Sequence, residues 1–384
     1  MTKIIYLDNA ATSNFKPLCV KKVFLKALKH SANPGRSGHK LSIENAFKVW
    51  ACRETIANHF NIDLPENVVF TKNCTEALNI AIQGLVKNED HVICSCFEHN
   101  SVLRPLKMLE KQKIITLTII EPKNKKYITL EDLKPNILKN SSLVCLTHTS
   151  NVTGFKQDIE NIGKYLKEKN IMFLVDFAQG CGHYKLDMKK YNISYLAFAG
   201  HKGFFAPQSI GGLIINNTVI PKALTFGGTG TESENLLQPN VLPEYLESGT
   251  LPTPSICALN EGIKYVEKHF LNHNKKIYKL TDYLIKKLSN LQKQNKIKLY
   301  TTDANFNGVV SFNVLNKTSV EVSNFLDEKY NIATRSGLHC APLTHKYFNT
   351  MQQGIVRVSL NHRNTFKQLN ILLKAILQIS DGIK

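Results

Sequence analysis

Apolar residues along this chain fall into two alternating rhythms. NVVF (67–70), HVICS (91–95), IITLTII (114–120), SLVCLTHTS (142–150), IMFLVDFA (171–178) and SYLAFAG (194–200) are short apolar runs with the length of buried strands. Between them, apolar positions recur at helical spacing. In TEALNIAIQGLV, Ala77, Ile80, Ala81 and Leu85 share one face, and SVLRPLKMLEKQK, LEDLKPNILK and IENIGKYLKEKN read as further helices. Buried strands alternating with helices predict an α/β protein whose mostly parallel sheet, of the seven-stranded type, is covered by helices on both faces. The pattern changes near residue 255. One long helical segment, SICALNEGIKYVEKHFLNHNKKIYKLTDYLIKKLSNLQK, leads to VVSFNV (309–314), a helix in SVEVSNFLDEKY, a polar loop, IVRVSL (355–360) and a final helix. The expected organisation is a large domain over 15–254 and a smaller α+β domain built from 1–14 and 255–384, in keeping with a length of 384 residues.

Sheets of this kind bind ligands outside the carboxyl ends of their strands. The residues just after each run are therefore the candidates. After NVVF comes TKNCTEALN, a polar turn that opens a helix and suits an anion such as phosphate. The same residues also fit a plain N-cap by Thr75 with Glu76 in the first turn. His99 follows HVICS and Asn151 follows SLVCLTH; either also serves as ordinary turn structure. Asp176 ends a strongly apolar strand, where a carboxylate needs a cationic or N–H partner, and Gln179 lies on the same turn. Lys202 follows the last run, behind Gly200 and His201; a lysine held in a partly dry pocket becomes an amine nucleophile. A phosphate cradle, an aromatic plate, a buried acid and a reactive lysine at one sheet edge form the set that pyridoxal 5'-phosphate requires. Separately, TRSGLHCAPLTHK (334–346) places Cys340 in a Gly/Pro-punctuated polar loop, an unusual setting for a thiol with no chemistry to perform.

Composition narrows the field. Hydrophobic residues make up 43%, no run reaches membrane-spanning length, and the apolar patch in MTKIIYLDNAATS is short and followed at once by an acid, so a cytoplasmic protein without membrane association is expected. The nine cysteines form no CxxC pair, which argues against a zinc ribbon and a thioredoxin-like motif, and their odd number in a long chain argues against a disulfide framework; no metal site is expected. Most of these thiols, Cys94 and Cys145 among them, are expected to be small buried hydrophobes. The net charge of +19 comes from lysine spread along the chain, and KNKK (123–126), NKK (274–276) and KKLSNLQKQNKIK (286–298) read as solvated helix faces or loops. No nucleic-acid-binding module accompanies them, so no nucleic-acid partner is expected.

Ten blocks, in order, carry a resemblance: YLDNAATS (6–13), GRSGHKLS (35–42), FTKNCTEALN (70–79), EHNS (98–101), HTSNVTG (148–154), VDFAQG (175–180), AGHKGF (199–204), LESGTLPTP (246–254), RSGLHCAP (335–342) and VRVSL (356–360). The chain resembles the cysteine desulfurases of the class V aminotransferase group, with the short cysteine segment of their compact-loop members, within the fold-type-I pyridoxal-phosphate enzymes. The resemblance implies removal of sulfur from L-cysteine, giving L-alanine and a persulfide on Cys340 for transfer to an acceptor protein. A selenocysteine lyase, or a related lyase or aminotransferase of the same fold, shares the pocket and is the alternative. By the resemblance Lys202 would hold the cofactor covalently and shuttle protons, and Asp176 would pair with the pyridine nitrogen. His99 would stack on the ring, and Asn151 and Gln179 would bond its substituents. The Cys74 backbone, the Thr75 side chain and His201 would hold the phosphate, joined by Thr250 from the neighbouring subunit of a homodimer. Arg357 would grip the substrate carboxylate, and Arg335 and His339 are the candidate cations beside the Cys340 thiolate. Many relatives carry serine where this chain has Ala199 and Gly200, which implies a missing phosphate hydroxyl that GGTGTE (227–232) is placed to replace.

Overall fold

The computed structural model describes residues 4–123 and 126–382. Two residues of the KNKK run, Asn124 and Lys125, lie outside the described residues, as do the extreme ends of the expected small domain. The strands are β1 (Ile5–Tyr6), β2 (Val68–Thr71), β3 (Asp90–Ser95), β4 (Ile115–Ile120), β5 (Ser141–Thr147), β6 (Met172–Asp176), β7 (Tyr195–Ala199), β8 (Gly211–Ile215), β9 (Ile297–Leu299), β10 (Val309–Val314), β11 (Ile332–Ala333) and β12 (Val356–Ser359). The helices are α1 (Leu18–Lys29), α2 (Lys40–Phe60), α3 (Cys74–Leu85), α4 (Asn100–Lys111), α5 (Leu130–Leu133), α6 (Ile159–Glu168), α7 (Thr253–Lys293), α8 (Ser319–Tyr330), α9 (Pro342–Tyr347) and α10 (Phe366–Ser380).

A seven-stranded sheet in the order β2-β8-β7-β6-β5-β3-β4 forms the centre. The pairs among β7, β6, β5, β3 and β4 are parallel, whereas β8 runs against both β7 and β2. The run GGLII of β8 is not among the expected strands, because its two glycines break the apolar pattern. Gly211 is required there: a Cβ would lie 2.8 Å from the Asn73 carbonyl carbon and 2.9 Å from the Cys74 nitrogen, where β8 passes under the start of α3. Helices cover both faces, and two apolar clusters, one around Phe60, Phe173, Phe177 and Phe198 and one around Leu78, Ala81, Leu106 and Leu213, fill the space on either side.

Helix α3 buries Ala77, Ile80, Ala81 and Leu85 as its spacing predicts. Its cap differs from the expectation. The Glu76 N–H donates to Asn73 Oδ1 at 2.9 Å, so Asn73 and not Thr75 caps the helix. LEDLKPNILK yields only the single turn of α5 and a 3-10 turn over Lys134–Asn136, because Pro135 cannot continue an α-helix. The segment after residue 252 is one unbroken helix of 41 residues, α7. Its first half buries Ile256, Leu259 and Ile263 against the large sheet's core, and its second half buries Leu280, Leu284 and Leu288 in another cluster. That cluster lies on the antiparallel sheet β12-β10-β9 and takes in Ile5 and Leu7, because β1 pairs in parallel with β11. All nine cysteines are free; seven, including Cys94 and Cys145, are buried, and Cys19 and Cys340 are partly exposed. No helix among the described residues is long and apolar enough to cross a membrane.

Candidate active site

Strands β3, β5, β6 and β7 share one direction, so their carboxyl ends open onto one edge of the sheet. A cavity of about 170 Å³ lies there. Of the residues singled out in the sequence, Cys74, Thr75, His99, Asn151, Asp176, Gln179, His201 and Lys202 all line it. Asp176 is buried at the end of β6, and its Oδ1 accepts the Ala178 N–H at 2.9 Å and the Cys74 thiol at 3.5 Å. Burial holds the Lys202 ammonium below the ordinary lysine pKa, with Asp176 acting in the opposite direction. At the start of α3, the Asn73 side chain satisfies the Glu76 N–H; the N–H groups of Cys74 and Thr75 have no acceptor among the described residues and face an anion-sized space.

His99 is the N-cap of α4. The Ser101 N–H donates to its Nδ1 at 3.1 Å, which leaves the ring proton on Nε2. Burial, with Lys202 adding to it, pulls the pKa of this ring down to about 4, so it is a neutral imidazole at physiological pH. Beside it Glu98 is fully buried, an environment that the EHNS motif does not reveal. Its Oε1 accepts the Ser95 hydroxyl at 2.5 Å and the Thr147 N–H at 3.0 Å, and its Oε2 has no partner. Burial pushes this carboxyl up to about 8.

A second cavity of about 490 Å³ shares Thr75, His99 and Ser101 with the first and is lined by Cys340. The Cys340 loop is docked at its mouth by two hydrogen bonds. Asn100 N–H donates to Cys340 O at 2.7 Å, and Asn151 Nδ2 donates to His339 O at 2.7 Å. His339 and Cys340 both adopt left-handed backbone, with φ of 50° and 57°, a conformation that L-residues hold only when surrounding contacts impose it. The Arg335 Nη2 lies 3.5 Å from the Cys340 sulfur and supplies the cationic donor expected there. His339 does not. It is 2% exposed, its Nε2 lies 3.1 Å from the Ile355 carbonyl, and burial next to Arg357 holds its pKa well below the histidine range, so the ring is neutral.

Arg357 lies outside both cavities. It is completely buried, with Nη1 donating to Asn151 O at 3.0 Å, Nη2 donating to Asp8 Oδ1 at 2.8 Å, and Nε unpartnered. Thr250 is exposed and lines neither cavity, and GGTGTE (227–232) is a surface segment whose Gly228 carbonyl accepts from Arg36. The segment Asp8–Lys16, to which no sequence motif assigns a role, touches the site repeatedly: Asp8 holds Arg357, and Ala10 O accepts from Gln179. Its only signal in the sequence is a cluster of small polar residues directly after the short YL run.

The residues fit a pyridine ring carrying a phosphate: free N–H groups at a helix start, a carboxylate fixed by an N–H, a neutral imidazole and a lysine of lowered pKa. Fold and site together define the fold-type-I pyridoxal-phosphate class. The aminotransferase class-V family model matches residues 5–372. A probable cysteine desulfurase of Pyrococcus abyssi is 33% identical across the whole chain and 96% of its own length, and one of Borreliella burgdorferi is 31% identical over 98% of this chain and 92% of its own. The apo structure of the cysteine desulfurase from Thermococcus onnurineus NA1 superposes with a TM-score of 0.90 at 31% identity, covering 99% of this chain and 95% of that one. The chain belongs to the cysteine desulfurase family of class-V aminotransferases.

Proposed function

We propose that this protein is a pyridoxal-phosphate-dependent L-cysteine desulfurase that takes sulfur from cysteine, releases alanine and carries the sulfur as a persulfide on Cys340. What supports this reading is one juxtaposition: Cys340 opens onto a cavity that shares Thr75, His99 and Ser101 with the cavity lined by Lys202 and Asp176. The large domain, 15–254, holds the cofactor; the small domain, 1–14 with 255–384, delivers the Cys340 loop and Arg357.

Bound pyridoxal phosphate supplies a ring that withdraws electrons from the amino-acid carbon attached to it. Lys202 anchors it and, with its lowered pKa, takes and returns protons at Nζ. Asp176, held by the Ala178 N–H, would pair with the pyridine nitrogen. His99, whose Nδ1 is taken by the Ser101 N–H, would stack on the ring and offer its Nε2–H to an oxygen there. The Cys74 and Thr75 N–H groups, the Thr75 side chain and His201 would hold the phosphate. Asn151 and Gln179 set the polar edge, and Arg357 meets the substrate carboxylate once Asp8 or the Asn151 carbonyl yields its place. The Cys340 thiolate attacks the substrate sulfur. A sulfur–sulfur bond forms as the carbon–sulfur bond breaks, the electron pair stays with carbon, and a proton returned to carbon completes alanine.

The enzyme acts as a homodimer, Thr250 of each subunit completing the other's phosphate site. Thr250 is exposed, and the same segment leaves Phe226, Leu236, Leu237 and Val241 exposed for a second copy to cover. The basic surface favours an acidic sulfur-acceptor protein in the cytoplasm. The test supplies L-cysteine and a reductant and measures sulfide and alanine together. Equal amounts of both, lost in Cys340→Ser, are expected. Alanine released from selenocysteine but not from cysteine, unaffected by Cys340→Ser, would instead identify a selenocysteine lyase.

A further inference from the structure

Four donors converge on a single oxygen next to the reactive lysine. The His201 carbonyl, which belongs to the peptide leading into Lys202, accepts from Thr12 Oγ1 at 3.3 Å, Ser13 N at 3.3 Å, Ser13 Oγ at 3.0 Å and Lys16 Nζ at 3.0 Å. A carbonyl oxygen has two lone pairs and ordinarily serves one or two donors. The Lys16 ammonium also donates to Ser13 Oγ at 2.9 Å and has no carboxylate partner among the described residues. A half-buried cation without a counter-ion is costly, and burial pulls this amine's pKa down to about 8. Lys16 is therefore spent on backbone and hydroxyl oxygens at one place, the root of the Lys202 side chain. On the other side, Gly203 is pressed so closely on the Cys181 carbonyl that a Cβ there would lie 1.7 Å from its oxygen. The Lys202 backbone is gripped from both flanks.

We infer that Lys16 is a positioning residue: with Thr12 and Ser13 it pins the His201–Lys202 peptide and so fixes the point from which the Lys202 amine reaches the cofactor. Nothing in the Lys16 contacts touches substrate, so its effect is carried through Lys202. The inference rests on Lys202 being the cofactor-binding lysine.

The experiment compares holoenzyme of the unsubstituted chain with Lys16→Met, which keeps the stem and removes the donors, and Lys16→Arg, which restores a cation. Three quantities are read: kcat and KM for L-cysteine, the visible circular dichroism of bound pyridoxal phosphate, and the rate of cofactor loss after dilution. Lys16→Met is expected to lower kcat and speed cofactor loss about tenfold each, the size of one charge-assisted hydrogen bond, with KM within about twofold and the dichroic band reduced. Lys16→Arg is expected to recover most of all three. A merely structural lysine would lower thermal stability without changing the dichroic band or the cofactor-loss rate of the folded fraction, and that result overturns the inference. Ser13→Ala removes one donor and no charge; it is expected to shift the same readouts about threefold, and no shift in it would overturn the inference even if Lys16→Met fails to fold. A visible band that survives Lys202→Ala overturns both this inference and the functional reading. A band that depends on Lys202 but ignores Lys16 overturns this inference alone.

Discussion

Glu98 gives the sharpest physical test of the site's interior. It is fully buried beside His99, and desolvation pushes its carboxyl from 4.5 to about 8. The folded state therefore keeps a proton that the unfolded chain releases above its ordinary carboxylate pKa. Stability contributed by the neutral acid is complete below about pH 4.5 and is lost as pH rises toward the folded pKa. At about 1.4 kcal/mol per pH unit, the full window amounts to roughly 5 kcal/mol, and at neutral pH to about 3 kcal/mol. Glu98→Gln isolates this term. Its amide oxygen can still accept from Ser95 Oγ and Thr147 N, and its NH2 takes the place of Oε2, which has no partner in the parent either. The variant has no proton to release. Urea unfolding of both proteins at fixed cofactor concentration, extrapolated to water across the mildly acidic to alkaline range, should show the E98Q variant gaining on its parent as pH rises, with little difference in acid. A difference that stays constant within about 1 kcal/mol over that range would refute the reasoning. It would mean that Glu98 already carries its charge when folded.

Two further perturbations follow from buried charges. Arg53 and Glu247 form a bidentate pair at 2.9 and 2.6 Å with both side chains 4% exposed, and Glu247 also accepts the Phe70 N–H. Glu247→Ala should cost about 3–5 kcal/mol in urea unfolding, and Arg53→Met with Glu247→Leu should recover much of that loss; strictly additive losses would show that the pair is not coupled. Arg357→Lys should raise KM for L-cysteine about tenfold or more, with a smaller fall in kcat, because an ammonium cannot reproduce the planar fork. An unchanged KM would remove Arg357 from substrate binding.

The parts of the sheet-edge site that were legible in the sequence share one property, that each follows closely on an apolar strand, whereas Cys340 was legible from its polar Gly/Pro loop. Asp176 closes β6, Lys202 lies three residues past β7, His99 four past β3 and Asn151 four past β5, so the strand pattern alone places them on one edge. What could not be read depends on contacts between distant segments. The capping of α3 by Asn73 rather than Thr75 turns on backbone geometry at the helix start, which residue type does not decide. The neutrality of His339 comes from burial against β12, and that of Glu98 from the packing of β3 on β5; neither leaves a local mark. Strand β8 was hidden because close approach to the start of α3 demands Gly211, and the Phe198 ring and Val69 carbonyl leave no room for a side chain at Gly212; glycines read as loop.

The same distinction explains how two distant parts of the chain make one site. Asn151 is the joint. Its Nδ2 holds His339 O, which precedes the thiol, and its own carbonyl holds Arg357 Nη1. Arg357 in turn binds Asp8, whose strand-to-loop segment runs on to Lys16 and the His201 carbonyl. The chain of contacts therefore passes from the Cys340 loop through Asn151, Arg357 and the N-terminal segment to the root of Lys202. The covalent chain carries the path from Asp8 to Lys16, and the other four links are hydrogen bonds within 3.0 Å; breaking one would leave the buried Arg357 guanidinium or the buried Asn151 amide without a partner, and an unpaired polar group inside the protein costs more than a made bond gains. Thiol and lysine are held in register by this polar path rather than by apolar packing alone. That path runs through residues 8–16, and it gives the otherwise unassigned block YLDNAATS a physical task.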